Sequence, residues 1–305
     1  MTLRHGGISL ATVCLCFLLC VINLLSFTFG TCPEPDGVIG KIIPPHFSGL
    51  TNQLLDIITF LNDYQNKSQP LCLPGIRTEI SKERFERFSN IFNIKELSFS
   101  LGRNLRDCEC DSHNWERKLG WLEDWEILGH FLDAVHPFLK KQISDQFLQS
   151  NHVFLNISYN VLHLKMDNGD VGHYHWRFDM NQSFYMESMR RCYLKLVREH
   201  FSPDLPIYVI GTHPRESIFP DLVRLGYRPM AKPLISLKFS NFTEPNNGRE
   251  LNALAEAILL SCFSPPKKII LNYGSTFSHW LQYRHKNSEI ILLDLEAKPL
   301  CTLKT

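Results

Sequence analysis

A short polar stretch near the C-terminus contains the residue types needed to hold an anion. The apolar run 269–271 predicts a buried strand, and Gly274, Ser275, Thr276 and Ser278 follow it where a helix is predicted to start. Glycine lets the backbone approach a ligand, and the N–H groups that begin a helix attract anions. This glycine-serine loop (274–278) therefore predicts a diphosphate cradle. The alternative is an ordinary helix N-cap, a position that serine and threonine also favour.

A second set of polar groups, the His-Lys loop (163–170), follows another apolar run. His163 and Lys165 lie two positions apart, so the alternation of a strand places both on one face. The Lys165 ammonium suits a phosphate, and the imidazole suits a nucleotide or substrate hydroxyl. Arg177 follows closely enough to join such a site. The alternative is a solvent-facing strand edge with ordinary polar residues.

A third polar stretch, the N-terminal loop (49–53), precedes an apolar helical pattern. Gly49 permits close backbone approach, and Asn52 and Gln53 add neutral donors and acceptors. The alternative is that these amides cap a helix or face solvent. None of the three loops carries a phosphate-binding P-loop, a dinucleotide-binding glycine motif or a metal-ligand spacing. We therefore expect neither an NTPase, nor a dinucleotide oxidoreductase, nor a metal site.

The elements that position the glycine-serine loop and the His-Lys loop are apolar runs that alternate with helical patterns. This order predicts a parallel sheet with crossover helices, and ligands of such sheets bind outside the carboxyl ends of the strands. Strands are predicted over 153–157, 159–164, 207–210, 234–239, 268–271 and 289–293, and helices over 184–200, 217–225, 251–262 and 277–283. In the N-terminal half we predict helices over 50–61 and 79–92, a strand over 94–101, and a helical stretch over 121–149 that Pro137 interrupts.

The first 45 residues differ from the rest of the chain. Residues 8–29 carry no charge, and at about 1.5 Å each they are long enough to cross roughly 30 Å of hydrocarbon as a helix. Arg4 precedes them and acidic residues follow, which favours a cytoplasmic N-terminus. We therefore predict a cytoplasmic tail (1–7), a transmembrane signal-anchor (8–29) and a Pro-rich stem (30–45). A cleaved signal peptide is the alternative.

Composition fits a folded protein of the secretory pathway. The 305 residues are 44% hydrophobic and 21% charged with a net charge of +1, which argues against disorder and against nucleic acid as a partner. Seven of the ten cysteines lie beyond the apolar segment, so we expect disulfides and at least one cysteine that is free or pairs between chains. Sequons for N-glycosylation begin at Asn66, Asn156, Asn181 and Asn241.

The three loops together resemble the α1,2-fucosyltransferase family, within the GDP-fucose-dependent fucosyltransferase superfamily. Gly49-Leu50-Thr51-Asn52-Gln53 is similar to a Gly-x-Leu-x-Asn-Gln segment, although one residue shorter. His163-Leu164-Lys165 with Gly169-Asp170 resembles a His-x-Arg-x-Gly-Asp loop. Ser275-Thr276-Phe277-Ser278-His279-Trp280 matches Ser-x-Phe-Ser-x-Trp fully. The resemblance spans residues 46–295.

The resemblance implies a GT-B-like fold, an α/β architecture of two Rossmann-like lobes with parallel sheets. The N-terminal lobe (46–150) would face the glycan acceptor, and the C-terminal lobe (151–305) would bind the sugar nucleotide. It implies a Golgi type II membrane enzyme that moves fucose to a galactose-containing glycan in α1,2 linkage, with inversion and without a metal. The implied donor-binding residues are His163, Lys165, Asp170, Gly274, Ser275, Phe277 and Ser278, and the implied interlobe residues are Gly49, Asn52 and Gln53.

One departure from the family pattern bears on activity. Lys165 stands where the family has Arg, and two extra residues precede Gly169. An Arg side chain grips phosphate with a planar fork, whereas Lys offers a point charge, and losing the fork lowers a transfer rate on the order of 100-fold. Arg177 is a candidate to compensate. The alternative is a catalytically degenerate relative that binds glycans or assists other transferases. No general base can be assigned from the sequence.

Overall fold

The computed structural model describes residues 41–42, 49–63, 70–73, 75–79, 84–107, 125–150, 157–166, 174–211, 218–231, 235–239, 248–262 and 264–304. The predicted tail, the signal-anchor and most of the stem lie outside these residues. Within them, no helix has the length and the apolar character needed to cross a membrane. The described part of the chain is an α/β structure in which parallel strand pairs predominate.

The N-terminal half contains a small sheet and a hairpin. Its strands are β1 (Lys41–Ile42), β2 (Leu71–Leu73), β3 (Ile76–Glu79), β4 (Arg84–Glu86) and β5 (Leu105–Asp107). β1, β2 and β5 form a parallel sheet in that order, while β3 and β4 pair antiparallel. The helices of this half are α1 (Leu50–Asp63), α2 (Phe88–Ile91), α3 (Ile94–Leu101), α4 (Trp125–Asp133) and α5 (Pro137–Ser150).

The C-terminal half is built on a larger sheet. Its strands are β6 (Asn160–Leu164), β7 (Ile207–Gly211), β8 (Pro229–Met230), β9 (Lys268–Tyr273), β10 (Glu289–Asp294) and β11 (Thr302–Leu303). Their order across the sheet is β11-β10-β9-β6-β7-β8, and only the β10–β11 pair is antiparallel. Counted from β6, this is the 3-2-1-4-5-6 order of a doubly wound sheet. The parallel sheet predicted for this half is confirmed.

Helices cover both faces of the larger sheet because its buried strands are apolar on both sides. Residues of α6 (Gln182–His200) and α7 (Phe219–Arg224) share one core with Leu162, whereas residues of α8 (Arg249–Cys262) and α9 (Thr276–Arg284) share the other core with Val161. Adjacent strand residues point to opposite faces, which explains how β6 supplies both cores. The second of these cores also takes in residues of α1, α4 and α5, so the described N-terminal helices and the larger sheet share one core.

Several predicted elements agree with the structure, and three do not. The helices over 50–61, 184–200 and 251–262 are confirmed, as is the break at Pro137, which is the first residue of α5. The strand predicted over 94–101 is wrong, because those residues form α3. The helix predicted over 79–92 is wrong in its described part, where β3 ends, β4 follows, and only residues 88–91 are helical. The strand predicted over 234–239 is also wrong in its described part, because residues 235–239 form no regular strand. Side-chain amides of α5 hydrogen-bond to their backbone instead.

Disulfide bonding of the cysteines is confirmed in part. Cys192 on α6 and Cys301, just before β11, form a disulfide with a sequence separation of 109 residues. Cys72 is also disulfide-bonded, whereas Cys262 is free and exposed. The Cys192–Cys301 bond links the segment just before the last strand, β11, to α6, which packs on one face of the sheet.

Candidate functional site

The glycine-serine loop and the His-Lys loop follow the two central strands of the larger sheet. β6 and β9 are parallel neighbours, so their carboxyl ends lie at the same edge. The first long helix described after β6, α6, packs on one face of the sheet, and the helix after β9, α9, packs on the opposite face. The chain therefore diverges between these two strands. In doubly wound sheets, this divergence creates the crevice in which ligands bind.

A buried hydrogen-bond network ties the two loops together beneath this edge. Asn272, fully buried near the end of β9, donates from Nδ2 to the carbonyl oxygen of His163 at 2.7 Å and from its backbone N to Oγ of Ser278 at 3.0 Å. That Oγ lies 2.7 Å from Nδ1 of His163. The Tyr193 hydroxyl donates to Oδ1 of Asn272 at 2.7 Å and accepts from the backbone N of Lys165 at 3.1 Å. This Asn272 network fixes His163 and the backbone of Lys165 at the start of the His-Lys loop against Ser278 of the glycine-serine loop.

His163 is held neutral by its surroundings. Its side chain is only 3% exposed. Burial, aided by the charge of Lys165, lowers the pKa of His163 from 6.5 to about 3. The ring of Phe277 packs edge-on against the imidazole, with 5.4 Å between ring centroids. An imidazole this deeply buried has almost no surface to offer a ligand, and its Nδ1 is hydrogen-bonded to Ser278.

The glycine-serine loop turns sharply and then starts α9. Gly274 is exposed and has a φ of +87°, a left-handed conformation that glycine adopts without strain. Ser275 is the N-cap of α9, and its Oγ accepts from the backbone N of Ser278 at 3.5 Å. The sequence alternative of an N-cap is therefore realised at Ser275, while contact of this loop with a diphosphate stays a prediction. Gly274 is the most exposed residue of the loop.

The N-terminal loop lies against the glycine-serine loop. Oγ1 of Thr276 donates to Oδ1 of Asn52 at 2.7 Å, which joins the first turn of α1 to the first turn of α9. The backbone N of Leu50 donates to Oε2 of Glu250 at 2.5 Å, and a Cβ on Gly49 would lie 3.6 Å from the same oxygen. The first and third loops, 224 residues apart at their point of contact, are thus brought together.

Gln53 does not share this position. Its side-chain amide pairs with the backbone of Arg77 on β3, donating from Nε2 to the carbonyl oxygen and accepting at Oε1 from the N–H, both at 2.9 Å. Gln53 is 3% exposed. These two hydrogen bonds are those that a neighbouring strand would make, so the Gln53 amide pairs with the edge of β3.

A charged pair lies beside the Gly274 turn. Nη1 of Arg177, from the segment between β6 and α6, is 2.7 Å from Oε1 of Glu296, which follows β10. A Cβ on Gly274 would lie 3.7 Å from the same Oε1. The guanidinium carbon of Arg177 is 5.7 Å from the ring centroid of Tyr174 and 5.5 Å from that of Trp176. Three segments of the sheet edge therefore meet at this pair.

The remaining predicted residues have separate positions. Asp170 lies outside the described residues, as do the sequon asparagines Asn66, Asn156 and Asn241. Asn181 is exposed and is the N-cap of α6, where its Oδ1 accepts from the backbone N of Phe184 at 2.8 Å. That position leaves its amide at the surface, where a glycan would be attached.

Two residues of the candidate site, Asn272 and Glu296, were not predicted from the sequence. Asn272 sits inside an apolar run, and a polar side chain at a position that the strand pattern buries is itself a signal, because it needs hydrogen-bond partners there. Glu296 follows a strand end like many solvated acids, and nothing in its sequence context links it to Arg177.

No metal site accompanies these residues in the described part of the chain, where no group of three or more His, Cys, Asp or Glu side chains could hold an ion. No protein-family model, curated protein or solved structure matches the chain. The resemblance to fucosyltransferases therefore stays a prediction that rests on the three loops.

Proposed function

We propose that this protein is a glycosyltransferase that moves fucose from GDP-fucose to a galactose-containing glycan, with inversion and in α1,2 linkage. The observation that supports the proposal is that residues following two adjacent central strands meet at the carboxyl edge of a doubly wound sheet, where the helices that follow those strands pack on opposite faces. This is the place where such sheets bind nucleotides. Under the proposal, the larger sheet belongs to a donor-binding Rossmann-like lobe and the N-terminal elements belong to the acceptor side of a GT-B-like fold.

The chemistry of the proposed step assigns distinct tasks to these groups. A hydroxyl oxygen of the acceptor attacks C1 of fucose, the bond from C1 to the diphosphate oxygen breaks, and GDP leaves with the electron pair. The acceptor proton passes to a general base. Negative charge grows on the diphosphate, so a cation and the N-terminus of α9 at this edge would stabilise the leaving group. Lys165 and Gly274 are the loop residues we assign to the diphosphate side.

The proposal extends to the cellular setting. Under it, residues 8–29 anchor the chain in the Golgi membrane with the described part in the lumen. Asn181 is then a glycan acceptor because its amide is exposed at the start of α6. Digestion of the protein from secretory cells with a peptide N-glycosidase should lower its apparent mass, and Asn181→Gln should remove one step of that shift. A mass that the glycosidase leaves unchanged would contradict the lumenal assignment.

Ligand-dependent thermal stabilisation tests the donor assignment. The full-length protein in detergent is melted alone and with GDP, UDP, CMP and the corresponding sugar nucleotides. At a GDP concentration about 100 times Kd, binding should add about 2.7 kcal/mol to the free energy of unfolding. Transfer is then measured with radiolabelled GDP-fucose and a galactose-terminated acceptor. Stabilisation by UDP or CMP compounds alone, or by none of them, would refute the proposal.

A second candidate function, a catalytically degenerate glycan-binding or accessory protein, is favoured by one feature of the site. Acidic side chains beside the loops are already engaged: Asp294 accepts from two backbone N–H groups, and Glu296 pairs with Arg177. Glu250 and Glu256 each accept from a backbone N–H as well. If one of these four described acids is the general base, it has to leave such a partner. Binding of GDP without turnover of GDP-fucose, unchanged by Lys165→Arg, would select this candidate.

A further inference from the structure

The pair formed by Arg177 and Glu296 lies beside the Gly274 turn, at the carboxyl edge of the larger sheet. Arg177 comes from the segment after β6 and Glu296 from the turn after β10, and Oε1 of Glu296 lies 2.7 Å from the guanidinium. The same oxygen lies 3.7 Å from the point where Gly274 would carry a Cβ. A carboxylate oxygen therefore lies between a guanidinium and the glycine turn, as a phosphate oxygen would.

Arg177 is the better held of the two partners. Its guanidinium carbon lies within 6 Å of the ring centroids of both Tyr174 and Trp176, a distance at which a cation is attracted to an aromatic face. Tyr174 is buried, which fixes one of the two rings. Glu296, in contrast, has a side chain that is 48% exposed, against 29% for Arg177. An exposed ion pair of this kind contributes little stability, so a stronger anion can replace the carboxylate.

We propose that Arg177 binds the diphosphate of the ligand alongside Lys165 and Gly274, and that Glu296 pairs with its guanidinium in the unliganded protein and is displaced on binding. The inference rests on the proposed function, since it assigns the phosphate-binding cation of that site. A guanidinium presents paired N–H donors to a phosphate, which the ammonium of Lys165 does not. Arg177 thus supplies from a later position the fork that is absent at 165.

Two substitutions of opposite effect test this assignment. Arg177→Gln removes a charged hydrogen-bond donor and should weaken binding of GDP at least about 10-fold. Glu296→Gln keeps the size of the side chain but removes the competing charge, and should tighten binding of GDP about 2- to 5-fold. A gain in affinity cannot come from misfolding, so the second variant remains informative even if the first destabilises the fold.

A matched control separates this effect from general charge. Glu187 on α6 also pairs with an arginine, with Oε1 2.9 Å from Nε of Arg191, and its side chain is 47% exposed. Glu187→Gln therefore makes the same change in charge at nearly the same exposure, but on the outer surface of a helix. It should leave the Kd for GDP unchanged.

Calorimetric titrations of the full-length protein in detergent with GDP, inorganic pyrophosphate and guanosine give the readout. We expect both variants to change the Kd for GDP and pyrophosphate in opposite directions and to leave guanosine unaffected. If wild type binds GDP and neither variant shifts its Kd, the assignment of Arg177 is overturned while the proposed function stands. If wild type binds pyrophosphate through Arg177 but no guanine nucleotide, the assignment stands and the GDP-fucose proposal fails. If wild type and Glu296→Gln bind neither GDP nor pyrophosphate, the assignment is overturned.

Discussion

Replacing Gly211 with alanine should destabilise the protein because the added Cβ would collide with the backbone at the end of β6, the strand that pairs with β7. Gly211 pairs with Leu164 in the sheet and has a φ of +122°, a conformation that L side chains rarely adopt. A Cβ at this position would lie closer than 3.0 Å to the carbonyl oxygen of Leu164 and 3.3 Å from its carbonyl carbon. Since both neighbours are backbone atoms, the strand ends would have to move apart.

The expected size of the effect follows from two costs. A positive φ in a residue that carries a Cβ costs about 1–2 kcal/mol, and forcing an extra carbon into a packed position costs about 1–3 kcal/mol more. Gly226 provides the matched control, because its φ is +85° and a Cβ there would meet nothing within 4 Å. Gly226→Ala should therefore show the first cost alone. The two variants should differ by about 2 kcal/mol in the free energy of unfolding.

Thermal unfolding of the two full-length variants, followed by tryptophan fluorescence at one scan rate, measures this difference. For a protein of this size, about 1 kcal/mol lowers Tm by roughly 2–4 °C, so Gly211→Ala should melt about 4–8 °C below Gly226→Ala. The same scan rate is needed because unfolding of disulfide-bonded proteins is often irreversible. Equal melting temperatures for the two variants would refute the close approach of β6 and β7.

Three further predictions concern stability. Because the pKa of His163 is lowered to about 3, the unfolded chain binds a proton that the folded chain lacks between pH 6.5 and 3. The free energy of unfolding should therefore fall as pH falls through that range, by up to about 1.4 kcal/mol per pH unit. His163→Asn should flatten the slope of Tm against pH. Replacing Cys192 and Cys301 with serine opens a 109-residue loop and should cost about 2–5 kcal/mol, seen as a lower urea midpoint; an unchanged midpoint would contradict the disulfide. Asn93→Ala removes the N-cap of α3 and should cost about 1 kcal/mol in the same assay, whereas an unchanged midpoint would show that the cap is dispensable.

The larger sheet could be predicted from the sequence because its strands are local signals. Four apolar runs, over 159–164, 207–210, 268–271 and 289–293, are each bounded by polar or turn-forming residues, and each corresponds to a strand. Parallel strands buried on both faces read as continuous apolar runs, so no information from distant residues is needed to locate them. The order of the strands, in contrast, depends on which face each crossover helix covers.

The error at residues 94–101 has a local cause that the apolar pattern concealed. Leu97, Phe99 and Leu101 alternate as in a strand, yet Phe99 is 89% exposed in α3. The helix is determined by its ends: Oδ1 of Asn93 accepts from the backbone N of Glu96 at 3.3 Å, and Gly102 closes it in a left-handed conformation. A capping pair followed by a glycine was therefore the stronger signal.

The error at residues 79–92 could not be corrected locally. Within this segment β4 is extended because it pairs with β3, and the backbone of Arg77 on β3 is in turn paired with the side-chain amide of Gln53 from α1. The same holds for residues 235–239, where Gln142 and Gln146 bond to the backbone of Lys238 and Ser236. From the sequence alone, glutamines in a helix are expected to face solvent. Only the tertiary fold places these three side chains where they hydrogen-bond to the backbone of another segment.

The candidate site shows why residue type alone cannot assign a ligand contact. The side chains of Ser278 and His163 suit a phosphate or a hydroxyl, yet they hydrogen-bond to each other beneath the surface. Asn272 donates to Oγ of Ser278 and to the backbone carbonyl of His163 at the same place. Small hydroxyl and imidazole groups satisfy buried backbone as well as they satisfy ligands, and depth below the surface decides between the two uses. The charged groups that do reach the surface beside the glycine turn, Arg177 and Glu296, come from segments that no spacing rule connects, because the sheet order places the segments after β6 and β10 on either side of β9.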